Sequence, residues 1–130
     1  MMNASDLPDS LQRFIQDNVP TFQSVEILLF LARHPGRKWP AGEIVEAIKP
    51  SVFTVSAVKE HLVHFRQRRL LAGDFDGGFA FSPASGELQA AVDELAVAYS
   101  ERPVTLIRTI YALTENKIQS FADSFRLKKE

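Results

Sequence analysis

The apolar spacing of this chain changes character abruptly, and that change limits the folds open to it. As far as residue 69 hydrophobic side chains recur at helical intervals, across residues 71–81 they recur every second residue, and after Ser82-Pro83 the helical interval returns. Spacings near 3.6 and 2 belong to amphipathic helices and to strands respectively. Asp76-Gly77-Gly78 stands between Leu71-Ala72-Gly73-Asp74-Phe75 and Phe79-Ala80-Phe81. Asp-Gly tolerates the positive φ angles of a tight turn, so this stretch reads as a hairpin. The pattern predicts a mainly α fold with one small β-hairpin.

Breakers divide the helical parts. Asp6 and Pro8 suit the start of a first helix with Leu11, Phe14 and Ile15 on one face, ending near Asn18 before Val19-Pro20. Thr21 or Ser24 caps a second helix through Arg33, apolar on nearly every side and therefore central to the core. Arg37-Lys38-Trp39 reads as a short extended piece. A third helix follows from Ala41 to Lys49, with Ile44, Val45 and Ile48 on one side. A fourth runs from about Thr54 to Arg69, with Val55, Val58, Leu62 and Phe65 facing the core. Beyond the hairpin, Leu88, Val92, Leu95 and Tyr99 form one stripe and Val104 to Leu113 another helix. Thr114 is placed to cap a last one holding Ile118, Phe121, Ala122 and Phe125.

Composition narrows the function classes. With 130 residues, 45% hydrophobic and 24% charged, the chain has the size and make-up of one globular domain with appended helices. The absence of cysteine removes disulfides, thiolate metal sites and cysteine nucleophiles. No apolar run approaches the length of a membrane span, and Met1 to Asp9 carries no signal-peptide pattern, which predicts a cytoplasmic protein. The net charge of −1 hides a polarity. Residues 33–70 hold eight basic side chains against three acids, while the segments on either side are each net acidic. Such a basic block between acidic flanks is an electrostatic footprint for nucleic acid, or else a solvated face.

Helix, short strand, helix, turn, helix and hairpin follow one another in the order of a winged helix-turn-helix. The run Val25 to Ser82, "VEILLFLARHPGRKWPAGEIVEAIKPSVFTVSAVKEHLVHFRQRRLLAGDFDGGFAFS", resembles the DNA-binding core of MarR-like winged-helix transcription regulators. The pieces that carry the likeness are "LARHPGRKW", "AGEIVEAI", "TVSAVKEHLVHF" as recognition helix and "RLLAGDFDGGFAF" as wing. The flanking helices, including "SFADSFRL", resemble uncharacterised bacterial proteins of the same general type. The sequence departs from the pattern twice. Arg69 stands where Gly commonly ends the recognition helix, which predicts a turn that is looser or ends differently, and Pro40 replaces the usual Ser or Thr cap.

On a helical projection the outward face of residues 54–69 shows Ser56, Glu60, Val63 and Gln67, flanked by Lys59 on one side and by His64 and Arg68 on the other. A helix that reads the major groove needs hydrogen-bonding side chains near its N-terminal half, and Thr54, Ser56 and Lys59 qualify. Phosphate anchoring falls to Arg37, Lys38, Lys49, Lys59 and Arg68. The wing argues the other way: its acids Asp74 and Asp76 stand where a DNA-reading wing carries a base, and Phe75, Phe79 and Phe81 read as packing residues. Catalysis finds no support. His61 and His64 beside Glu60 lack a further ligand at metal-binding spacing, no phosphate loop or nucleophile elbow occurs, and no cofactor is implied.

The resulting division is an N-terminal helix (1–20), a winged helix-turn-helix (21–83) and a C-terminal helical extension (84–130). The expected function is a DNA-binding transcription regulator; the alternative is a winged-helix adapter for a protein partner. The resemblance implies a homodimer built by the terminal helices, through Leu88, Val92, Leu95, Tyr99, Phe121 and Phe125. Packing of those helices within one chain is the other arrangement.

Overall fold

Apolar side chains surround the second helix of the chain, and the remaining elements are arranged about it. The computed structural model describes residues 7–48 and 54–114. Its elements are α1 (Asp9–Asn18), α2 (Phe22–Arg33), α3 (Ala41–Ala47), α4 (Val55–Gln67), β1 (Leu71–Asp74), β2 (Gly78–Phe81) and α5 (Gly86–Glu101). Residues 103–114 are also helical and are called α6. The structure is thus mainly helical, with a small two-stranded antiparallel sheet. The expected helix containing Ile118, Phe121, Ala122 and Phe125 lies outside the described residues. Thr114, expected as its cap, is itself helical and donates its hydroxyl proton to the carbonyl of Pro20.

Local chemistry starts the helices. Thr21 and Ser24 cap α2 reciprocally: the Thr21 Oγ1 accepts from the Ser24 amide, and the Ser24 Oγ accepts from the Thr21 amide. Val25, Ile27, Leu28, Leu29 and Leu31 are then buried almost all the way round α2. Thr54 caps α4 through the Ala57 amide, and Ser85 caps α5 through that of Leu88. Pro40 begins α3 with no side-chain cap. Val58, Leu62 and Phe65 of α4 are fully buried, whereas Val55 is 43% exposed. Val55 was expected in the core; it is the first residue of α4, and the buried stretch begins one turn later at Val58.

Arg69 has φ +64°, the left-handed conformation usually given to glycine. The Leu70 amide donates to the carbonyl of Phe65 and the Arg69 amide to that of Arg66, which together make a Schellman closure of α4. The expected loosening of this turn therefore does not occur. Leu70 is fully buried after the turn, and the carbonyls of Arg69 and Leu70 accept from Ala84 and Ser82, so the bend is held from both sides.

The hairpin pairs Leu71 with Phe81 and Asp74 with Gly78, leaving the loop 75–77. Gly78 is therefore the first residue of β2 and not part of the turn. The Asp74 carboxylate accepts from the Gly77 amide across that loop. Trp39 and Phe79 exchange two backbone hydrogen bonds, of 2.7 and 2.9 Å, which lays the 37–39 segment along the outer side of β2. Gly78, at φ +91°, makes that approach possible, because a Cβ there would stand 3.0 Å from the Trp39 backbone.

The segments on either side of residues 21–83 are built into the same core. Leu7, Leu11 and Ile15 on one side and Val92, Leu95, Leu106 and Ile110 on the other share one buried cluster with α2 and α4. No helix of the described residues is long and apolar enough to cross a membrane. Arg69→Gly removes the left-handed penalty at the cost of a more flexible unfolded chain, and is expected to raise the unfolding free energy by about 0.5–1 kcal/mol. Thermal unfolding followed by circular dichroism measures this as a rise in Tm of about 2–4 °C.

Candidate nucleic-acid interface

The side chains selected from the sequence separate into two groups. Thr54, Ser56, Lys59 and Glu60 lie exposed along the N-terminal half of α4. The Lys59 ammonium sits 5.5 Å from the centre of the Phe75 ring, and that ring meets Phe79 edge-on at 5.2 Å. α4 and the hairpin loop therefore meet at Lys59. Phe75 was expected as a packing residue, yet it is 46% exposed, because it belongs to the loop and not to a paired strand position. Phe79 is buried as expected, and Phe81 is half-buried.

His64 and Arg68 point elsewhere. The Nε2 of His64 lies 2.9 Å from the backbone carbonyl of Asn18, and since a carbonyl only accepts, this nitrogen carries the proton. The Arg68 Nε donates to the Asn18 Oδ1 at 2.8 Å. Asn18 is buried, and its own amide donates to the Phe14 carbonyl. Both residues were expected among the DNA contacts. The structure instead commits these bonds to the C-terminal end of α1, where unpaired carbonyls and the negative end of the helix dipole favour donors and cations. Asn18 escaped the sequence reading because its partners stand 46 and 50 residues away.

Arg37 also has contacts within the chain. Its guanidinium lies 3.7 Å from the centre of the Trp39 ring system and forms an ion pair with Glu43. Trp39 is held by Phe30 and His34, at 4.8 and 5.6 Å between ring centres. Its indole N–H is buried and makes no hydrogen bond. Arg66 donates to the Gly73 carbonyl and lies over Phe79, and Arg33 lies over Tyr99. Much of the basic block thus braces the fold. Lys38 and Lys59 are exposed, and Lys49 lies outside the described residues.

The residues expected to build a dimer are placed as follows. Val92 and Leu95 are 1% and 0% exposed in the chain's own core and have no surface left to offer a second chain. Leu88 is half-buried, and Tyr99 stacks on Phe22 with 5.6 Å between centroids. Phe121 and Phe125 lie outside the described residues. Among the described residues no three His, Asp or Glu side chains are grouped as metal ligands. Comparisons with protein-family models, curated proteins and solved structures return no significant match for this chain.

Burial holds the His61 imidazole below its ordinary value of 6.5; the neighbouring His64 pushes the same way, and Glu60 opposes. The unfolded chain therefore takes up this proton first. Stability from His61 is present in full above pH 6.5 and is lost as the pH falls below 6.5 towards the folded value. Tm measured from pH 7.5 down to 5.5 is expected to decline, and His61→Gln is expected to flatten that decline.

Proposed function

We propose that this chain is a winged helix-turn-helix transcription regulator of the cytoplasm that binds DNA as a homodimer. In this reading α3 and α4 form the helix-turn-helix, α4 enters the major groove, and the hairpin is the wing. The observation that carries it is the exposed N-terminal half of α4. There Thr54, Ser56 and Lys59 offer donors and acceptors, with Lys59 beside the hairpin loop, on a helix whose opposite side is fully buried. Lys38 and Lys59 serve as phosphate anchors, and Ser56 reads a base edge.

A winged-helix adapter that holds a protein partner is the second reading. It is favoured by exposed Glu60 on α4 and by Asp76 at the hairpin loop, since both repel phosphate. Titration of duplex DNA at several salt concentrations separates the two. With two or three cations per chain on phosphates, a dimer gives a log–log slope of about −4 to −5. Lys59→Ala is expected to weaken binding to every duplex and to reduce that slope by about one per chain, while Ser56→Ala relaxes discrimination at one base pair. Almost no duplex binding at physiological salt, together with loss of a protein partner on Glu60→Lys, favours the adapter.

For the dimer we assign the side of α6 that carries Val104 and Tyr111, which are 59% and 64% exposed. Val104 and Tyr111 stand seven residues apart on one side of α6. Light scattering is expected to give a mass near twice 14.6 kDa. Val104→Glu combined with Tyr111→Glu is expected to bring it to 14.6 kDa with the helical signal unchanged. Leu95→Glu, by contrast, places a charge in the chain's own core and unfolds it.

A further inference from the structure

We propose that Glu43 is an internal stand-in for a DNA phosphate: it pairs with Arg37 where that side chain lies over Trp39, and a backbone phosphate displaces it when duplex DNA arrives. The proposal rests on the DNA reading above and adds a control element to it.

Three observations converge. The platform is rigid, because Trp39 is tied to Phe79 by two backbone hydrogen bonds and its ring is flanked by Phe30 and His34. The guanidinium carbon of Arg37 lies 3.7 Å from the centre of that ring, and the N–H edge of the group is the part that pairs with an oxyanion. The oxyanion now paired with it is the carboxylate of Glu43, in the first turn of α3, where the helix dipole favours negative charge. A carboxylate and a phosphate present the same paired oxygens to an arginine. In a helix-turn-helix the first helix, here α3, crosses the DNA backbone.

The exchange is feasible because both groups remain in contact with water. The Arg37 and Glu43 side chains are each 51% exposed, so their ion pair is screened and easily broken. Stacking on Trp39 survives the exchange, so a phosphate replaces Glu43 at an arginine that is already oriented. Removing Glu43 leaves Arg37 in place and abolishes the competition.

A double-mutant cycle on the full chain tests this, with binding of one duplex measured for wild type, Glu43→Gln, Arg37→Ala and the double variant. Glu43→Gln is expected to tighten binding by about 1.5- to fivefold per chain, the scale of an exposed ion pair, and to do so only when Arg37 is present. Arg37→Ala alone is expected to lower the salt slope by about 0.9 per chain. Asp76→Asn removes the same charge from the hairpin loop, so its gain should be equal with and without Arg37. An equal gain from Glu43→Gln in both arginine backgrounds overturns the proposal, because Glu43 then merely repels DNA. An unchanged salt slope in Arg37→Ala overturns it as well. Either result leaves Lys59-dependent duplex binding, and hence the DNA reading, intact. If folded wild type and Glu43→Gln both fail to bind duplex, the DNA reading falls and takes this proposal with it.

Discussion

Phe79 is the residue on which the middle of the structure depends. Its backbone exchanges two hydrogen bonds with Trp39, its ring is fully buried, and Phe75 and Arg66 rest against that ring. It also pairs with Gly73 in the hairpin. One residue therefore ties the 37–39 segment, both strands and the C-terminal end of α4 together. Its surroundings demand glycine twice. A Cβ at Gly73 would stand 2.1 Å from the Gly78 carbonyl oxygen, and one at Gly78 would meet the Trp39 backbone. The proposed interface inherits its geometry from this junction, since α4 and the hairpin loop are adjacent only while the hairpin is seated.

A second constraint acts through charge. The basic block of residues 33–70 reads as a single patch when its side chains are counted. Folding gives much of it internal contacts: Arg68 binds Asn18, Arg66 the Gly73 carbonyl and the face of Phe79, Arg33 the face of Tyr99, and Arg37 is paired with Glu43 over Trp39. An arginine satisfies carbonyls and rings in this way because its planar fork makes several bonds at small entropic cost. Lys38 and Lys59, with their compact hydrated charges, extend from exposed positions. Charge counts therefore overstate the cations a partner can meet, and the proposed anchors are fewer than the composition suggests.

The same distinction applies to the C-terminal helices. The stripe Leu88, Val92, Leu95 and Tyr99 announces a face that must be covered, without specifying by what. A core made by residues 21–83 alone is small, and a small core buries its surface poorly. The buried cluster that joins α1, α5 and α6 to α2 resolves this by packing within the chain. The large apolar side chains left exposed on α5 and α6, Val97, Val104 and Tyr111, lie outside the stripe that the periodicity marked.

Local signals in the sequence determined the existence and type of nearly every described element. Helical spacing, the cap at Thr21 or Ser24, the Pro and Gly breaks and the period-two stretch around Asp76-Gly77 act over a few residues, so their physics is contained in a short window. The exposed Thr54, Ser56 and Lys59 were legible for the same reason, since a helix buried on one side shows its polar residues on the other. Only the tertiary structure decided where His64, Arg68 and Arg37 point, whether the stripe on α5 faces inwards, and that Arg69 takes a glycine's conformation. Those outcomes depend on partners distant in sequence: Asn18 for His64 and Arg68, and α1 and α2 for α5. At Arg69 the buried Leu70 and the bonds from Ser82 and Ala84 hold the turn, at a cost the local sequence by itself argues against.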